Sequence, residues 1–586
     1  MRRGLGAALA AAGALLAVHA PAAAAKVAPF GHPCTPQDGV LFCPTSSDAQ
    51  RVKTFDGVPL DVDVTLPASG VGRPLPTIVM LHGFPGTKQS FESTTPAPPG
   101  VGLLYHYNNN FFAKRGYAVV NYSARGFGRS CGEADSRTHP GCDRGWFHLA
   151  DQRFEMRDAQ TLLGKLVDQG ITDPNRIGVT GVSYGGGSSL QLAYLRDRIR
   201  ELDGDLVPWR SPAGRRLSIA AAYPRWGWSD LLYSLVPNGR FHDFGVGDED
   251  ESLEPIGVAK KSLVDALYFG GVAVGYLAPR GADPTADVAT WRDVLEAGKP
   301  YGRRVTAIAR QVHTYKSAVT LPGRPAPLLI MDGFTDPAFS ASEALRTYDQ
   351  LRAWDDPPYV SLQLGDLGHF RAGNNFEMYR DFADDGTAFL AHYLKGTDAG
   401  GPRAGSVKVY GQGCPKGTLG PGPIESTSFR RVARGELRLH LDRERALRNG
   451  SDAVAKFFDP VPNSDPCSTV PLDAAPPRIA ATSPGFTLAG LTGVRADVDN
   501  AGSYAQIDAR LLDVFDRRER LIDYGTYRLL PGQSGRIDFQ LAGNVYRFAR
   551  GHVVRLELVK RNAPTFLPDA PARIAVDDVA VTIPTR

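Results

Sequence analysis

The sequence predicts an α/β core interrupted by a helical cap and followed by an all-β domain. Three observations carry that prediction. Short β-branched runs alternate with helical patterns from residue 51 to about 230. The same alternation resumes after residue 322, and beyond residue 400 apolar residues recur with period two instead. At 586 residues the chain exceeds what one hydrophobic core serves, so two or three domains are expected.

In chain order, the first element is a leader. Met1-Arg2-Arg3 is a cationic start, residues 5–18 are Ala- and Leu-rich, and Ala23-Ala24-Ala25 is a small-residue cleavage site before Lys26. That pattern is a signal peptide over residues 1–25, and export is expected. An uncleaved anchor is the alternative, opposed by His19 and Pro21 in a barely sufficient apolar run. The six cysteines fall as Cys34 with Cys43, Cys131 with Cys142 and Cys414 with Cys467, so disulfides are the reading that suits export. A metal site would need Cys-x-x-Cys or His spacing that is absent, and no metal or cofactor is expected.

The first part of the core is expected over residues 26–230. Strands are predicted at 77–82, 117–122, 177–180 and 218–223, with an amphipathic helix at 151–167 on which Phe154, Ala159, Leu162, Leu163 and Leu166 share a face. Strand patterning then lapses over residues 231–322 into helical patches such as 261–269, which suit a cap. The core resumes over 323–398 with strands at 327–331 and 360–364. After the linker composition Lys395-Gly-Thr-Asp-Ala-Gly-Gly-Pro402, residues 406–586 read as a sandwich or jelly roll. Leu437/Leu439/Leu441, Ile537/Phe539/Leu541 and Val554/Leu556/Leu558 each offer one apolar face there.

Two Gly-x-Ser-x-Gly matches occur, and context separates them. Gly181-Val-Ser183-Tyr184-Gly185 sits between the apolar strand 177–180 and a helical pattern at 188–202, the strand-turn-helix setting of a nucleophile elbow. Gly128-Arg-Ser130-Cys-Gly132 runs into a Pro/Gly-punctuated loop, which cannot carry the helix an elbow needs. Ser183 is therefore the candidate nucleophile.

In the α/β-hydrolase arrangement the acid and then the histidine follow the serine in the chain. Asp336 in Asp-Gly-Phe-Thr-Asp336 and His369 in Gly365-Asp-Leu-Gly-His369 each stand just past a predicted strand end, where α/β sheets place their chemistry. Asp332 and Asp366 are rival acids, the first still within the strand end and the second too near the histidine in sequence. The oxyanion donors are expected to be the Tyr184 amide and the Phe84 amide of His82-Gly-Phe-Pro-Gly86, since Pro85 has no N–H. A plain tight turn is the bland reading of that loop. Arg125-Gly-Phe-Gly128 reads as a structural loop.

These residues resemble the X-prolyl dipeptidyl-peptidase and cocaine-esterase group of serine hydrolases. The resemblance rests on Gly181-Val-Ser183-Tyr184-Gly-Gly, Arg125-Gly-Phe-Gly128-Arg-Ser130, Gly333-Phe-Thr-Asp336 and Gly368-His369. It extends to Gly551-His552-Val-Val-Arg-Leu-Glu-Leu and Asn562-Ala-Pro-Thr-Phe566 in the β domain. Three positions depart from it: Phe334 stands where Trp is usual, Ser123 where Asp is usual, and the oxyanion loop lacks a tyrosine. The resemblance implies acyl transfer to Ser183. A peptide with a penultimate proline is the first substrate expectation, a carboxylic ester or small amide the second, and a non-catalytic glycan-binding protein the third. A dipeptidyl-peptidase needs a carboxylate for the substrate ammonium, because an unpaired buried charge is costly. Asp230, in Trp226-Gly-Trp228-Ser-Asp230, is the first candidate and the run Asp248-Glu-Asp-Glu251 the second. Trp226 and Trp228 are expected to wall the substrate site.

The formal charge is only +4, with the leader arginines supplying half of it, and 42% of residues are hydrophobic against 22% charged. That ordinary balance argues against a nucleic-acid or membrane-surface partner. No later apolar stretch suits a membrane span, and the sequence does not set the oligomeric state.

Overall fold

Residues that alternate between one apolar face and another must pack helices on both sides of the sheet they form, and this chain does so. The computed structural model describes residues 27–96, 104–239, 256–298, 301–398, 400–472, 478–568 and 571–586. The leader, and the acidic run Asp248-Glu-Asp-Glu251, lie outside the described residues.

The core strands are β1 (Thr35–Gln37), β2 (Val40–Cys43), β3 (Val62–Pro67), β4 (Leu75–Leu81), β5 (Ala118–Tyr122), β6 (Thr172–Val182), β7 (Ile219–Arg225), β8 (Leu328–Gly333), β9 (Val360–Gly365), β10 (Val407–Val409) and β11 (Ile424–Ser426). They form one eleven-stranded sheet in the order β1-β2-β3-β5-β4-β6-β7-β8-β9-β10-β11. The centre, from β5 to β10, is parallel, and both edges are antiparallel. Parallel strands are buried on both faces, which explains why every residue of β4 and β8 is buried and why both are mostly apolar rather than alternating.

The longer helices of the core are α1 (Glu155–Asp168), α2 (Tyr184–Leu195), α7 (Ala341–Arg352) and α8 (Phe376–Lys395); between them in sequence come the cap helices α3 (Leu231–Leu235), α4 (Lys261–Val274), α5 (Val288–Glu296) and α6 (Arg303–Tyr315). Leu162, Leu163 and Leu345 pack on one face of the sheet, while Phe382, Leu390 and Leu394 of α8 pack on the other. Helix α8 runs from the Asn375 side-chain cap to Gly396, whose φ of 68° supplies the left-handed stop that ends the helix.

The C-terminal region is an antiparallel two-sheet sandwich around its own core, in which Leu488, Ile507, Leu511, Val554, Leu556 and Val581 are fully buried. Two expected boundaries are corrected. The all-β pattern expected from residue 406 starts later, because β10 and β11 extend the core sheet and the sandwich begins with the strand Gly435–Leu441. The helix expected at 188–202 starts at Tyr184 and ends at Leu195, where Arg196 takes a positive φ of 55° and the chain turns into the strand Arg198–Arg200. The disulfides Cys34–Cys43, Cys131–Cys142 and Cys414–Cys467 are formed, and no described cysteine is free.

Candidate active site

The loops that follow strands β4 to β9 meet at the carboxyl edge of the parallel strands. At the end of β6 the chain must reverse within one residue to start α2, and Ser183 takes φ 55° and ψ −115° to do it. A side chain at that φ is strained, and the strain holds the hydroxyl proud of the sheet. The glycines two residues to either side have no room for side chains. A Cβ on Gly181 would stand 2.5 Å from the Gly185 carbonyl oxygen, and one on Gly185 only 2.0 Å from that of Leu81. The Ser183 N–H donates to the Arg225 carbonyl at 3.1 Å, tying the turn to the next strand.

His369 lies beyond β9 and Asp336 beyond β8. The structure brings both to Ser183: His369 Nε2 is 2.7 Å from Ser183 Oγ, and His369 Nδ1 is 2.7 Å from Asp336 Oδ2. With a carboxylate on Nδ1, that nitrogen carries the proton and Nε2 is left to accept from the serine hydroxyl. Asp336 is buried and also accepts from the His369 N–H at 3.2 Å, while its other oxygen accepts from the Ala338 and Phe339 amides at 2.7 and 3.2 Å. Gly368 has φ 120°, and a Cβ there would lie 2.1 Å from Asp336 Oδ2, so the close approach of the two loops requires glycine.

The rival acids are placed elsewhere. Asp332 accepts from the Gly333 N–H at 2.8 Å; burial, with the Asp336 charge beside it, pushes its pKa well above the ordinary carboxylate range. Asp366 instead joins the two loops, accepting from the Thr335 hydroxyl at 2.6 Å and the Gly373 N–H at 2.8 Å. Ser130 is fully buried, donating to the Ser123 carbonyl at 2.6 Å and accepting from the Asp61 N–H at 2.8 Å. In its loop Arg125 forms paired bonds to Asp158 on α1 and to Asp56, which fixes the loop under the site.

The loop after β4 abuts the nucleophile, since a Cβ on Gly83 would be 3.6 Å from the Ser183 Cβ. Phe84 follows it, and the Tyr184 amide opens α2, whose first N–H groups have no partner within the helix. The Tyr184 hydroxyl is already engaged, donating to Glu155 Oε1 at 3.1 Å and accepting from the Ala150 N–H at 2.7 Å.

A cavity of about 180 Å³ opens from Ser183 into the cap. Trp228 lines it, together with Phe84, Tyr184, Phe147, Leu235 and Phe339. Trp226, expected as a wall, and Asp230, expected as the partner of a substrate ammonium, do not. Trp226 points to the opposite side of the sheet, where its ring lies 5.8 Å from that of Tyr379. Asp230 is buried with its charge committed: one oxygen lies 2.9 Å from His313 Nδ1 and the other caps α3 through the Leu232 and Tyr233 amides and accepts from the Ser317 hydroxyl. Burial and its hydrogen bonds leave it nothing to offer a substrate ammonium.

Three supports went unread in the sequence. Lys260, at the start of α4, donates to the Pro337 and Ala338 carbonyls at 3.0 Å each, behind the Asp336 turn. Arg371, two residues past His369, is buried and donates to the carbonyls of Phe458, Pro466 and Leu521. Phe339 places its ring edge-on to His369 at 5.4 Å. A lysine in an apolar stretch and an arginine in a loop carry no periodic signal, so only the fold reveals them.

Residues 56–200 match the family model described as X-Pro dipeptidyl-peptidase (S15 family), a span that includes Ser183 but neither Asp336 nor His369. No curated protein matches the chain. Among solved structures, a CocE/NonD family hydrolase from Staphylococcus aureus has TM-score 0.56 at 12% identity, covering 93% of this chain and 94% of its own. An α-amino acid ester hydrolase has TM-score 0.57 at 14% identity, covering 96% and 100%. An aminopeptidase from a Thaumarchaeota archaeon has TM-score 0.53 at 14% identity, covering 94% and 98%. At these identities the likeness is one of fold.

Ser183→Ala is predicted to lower turnover by about six orders of magnitude, because the three groups act as a unit. Ser130→Ala should leave the chemistry in place; loss of activity on Ser130→Ala with activity kept in Ser183→Ala would contradict the geometry. A second prediction concerns pH. Burial pushes the Lys260 pKa down from 10.5 to about 8, against the pull of Glu343, Asp336 and Asp332. Between those values the folded chain holds fewer protons than the unfolded one, so the destabilisation from burying this charge is full below pH 8 and is relieved as pH rises towards 10.5. The Tm of the wild type should therefore gain on that of Lys260→Met from pH 7 to pH 10, and a constant difference would contradict it.

Proposed function

We propose that this chain, a serine hydrolase of the X-Pro dipeptidyl-peptidase and CocE/NonD hydrolase group, hydrolyses carboxylic esters and small amides that carry no ammonium near the scissile bond. Ser183 Oγ attacks the carbonyl as His369 Nε2 takes its proton, and the Tyr184 and Phe84 amides receive the oxyanion. His369 returns the proton to the leaving oxygen or nitrogen as its bond to carbon breaks. A water, deprotonated by the same imidazole, then attacks the acyl carbon; the Ser183 Oγ–carbon bond breaks, the imidazolium returns its proton to Oγ, and the acid is released. Asp336 keeps the imidazole oriented and balances its positive charge.

The observation that carries the substrate reading is the cavity wall. Among the described residues no carboxylate lines it, and its one charged side chain, Arg292, is paired with Asp265 at 2.6 and 2.9 Å. An ammonium placed there would lose its water without gaining a partner. Export remains part of the proposal, supported by the three disulfides.

The family match over residues 56–200 favours a second reading, a dipeptidyl-peptidase acting before a free amino terminus. Ala-Pro-nitroanilide, its N-acetylated form and nitrophenyl butyrate separate the two. The ester should be hydrolysed in a Ser183-dependent way, and acetylation should change kcat/KM by less than about threefold. A loss of roughly tenfold or more on acetylation would establish that the site pairs the charge and would overturn the ester reading.

A further inference from the structure

Among the described residues the cap does not close on itself. Val236, Ile256 and Ala309 form its small core with Leu232, Leu235, Leu295, Tyr301 and Val305 packed around them. All of these except Tyr301 also line the cavity that reaches Ser183. The cap core is thus built around a space far larger than the ~10–15 Å³ that holds one water, and its wall offers almost no polar group to hold water there. An apolar cavity left empty costs stability in proportion to its volume, so the arrangement suits an apolar occupant.

Which part of an ester goes there follows from the chemistry of the leaving group. The leaving oxygen must lie beside His369 Nε2, which protonates it. His369 does not line the cavity, whereas Ser183, Tyr184 and Phe84, on the oxyanion side, do. The His369 side chain is instead 19% exposed, open to the side by which an alcohol can leave. The group that extends into the cap is therefore the acyl chain.

We propose that the cap cavity is an acyl-chain site, selecting esters whose acyl chain is apolar and longer than butyrate, with the carbonyl at Ser183 and the chain running past Trp228 and Phe339 towards Ala309. The inference rests on the ester reading of Ser183 given above. Each methylene taken from water into such a wall is worth about fourfold in binding.

Nitrophenyl acetate, butyrate and octanoate share one leaving group and so test the chain alone. The wild type should show kcat/KM rising at least tenfold from acetate to octanoate, whereas octyl acetate should gain no comparable advantage over ethyl acetate. Ala309→Phe should lower the octanoate-to-acetate ratio at least tenfold by filling the site. Acetate turnover with a flat or falling acyl series, an equal gain from a long alcohol, or a folded Ala309→Phe protein with an unchanged ratio would overturn this inference while leaving the ester reading intact. Absence of Ser183-dependent turnover on every ester would instead overturn the reading on which it rests. The wild-type series decides the matter even if the variant does not fold.

Discussion

The turn at Ser183 constrains everything around it. A non-glycine residue at φ 55° is held only where its surroundings leave no alternative, and here they are backbone. The Leu81 carbonyl presses against Gly185, the Arg225 carbonyl lies 2.4 Å from where a Gly186 Cβ would be, and the Trp228 ring fills the place of any side chain on Gly187. Strands β4, β6 and β7 therefore converge on one crowded point, and the glycine run after the serine exists to let them. That crowding sets the serine hydroxyl, the start of α2 and the loop carrying Phe84 in one rigid unit.

The other half of the site is less self-sufficient. Asp336 and His369 stand on loops, and loops hold a geometry only as well as their anchors do. Lys260 reaches from the cap to the carbonyls after Asp336, Asp366 ties the acid loop to the segment after His369, and Arg371 docks that segment on the C-terminal sandwich. Lys416 adds a bond to the Phe370 carbonyl from the connection between β10 and β11. The cap and the sandwich thus both brace the loops that carry Asp336 and His369.

The elements that periodicity governs were legible in the sequence. The central strands lie within a few residues of their expected places, and Ser183, Asp336 and His369, each expected just past a strand end, are brought within hydrogen-bond distance of one another. Trp226 and Trp228 show where such reasoning stops. Two residues apart, they should share a face, but the φ of 32° at Trp226 turns the chain so that one ring joins the far core and the other the cavity. The role of Asp230 is hidden in the sequence because its partner, His313, is distant; the nearer signal, an aspartate directly before the helical Leu231–Leu235, is that of an N-cap. The sandwich boundary slipped because β10 and β11 are three-residue strands whose alternation does not say which sheet they join.

The central claim is that the strained serine of β6 is the atom that becomes acylated. Peptide mapping by mass spectrometry after reaction with a fluorophosphonate tests it most directly. A single adduct on Ser183, lost when His369 is replaced by alanine, is the result this account predicts. An adduct on Ser130 or any other residue, or no adduct on a folded wild-type protein, would contradict it.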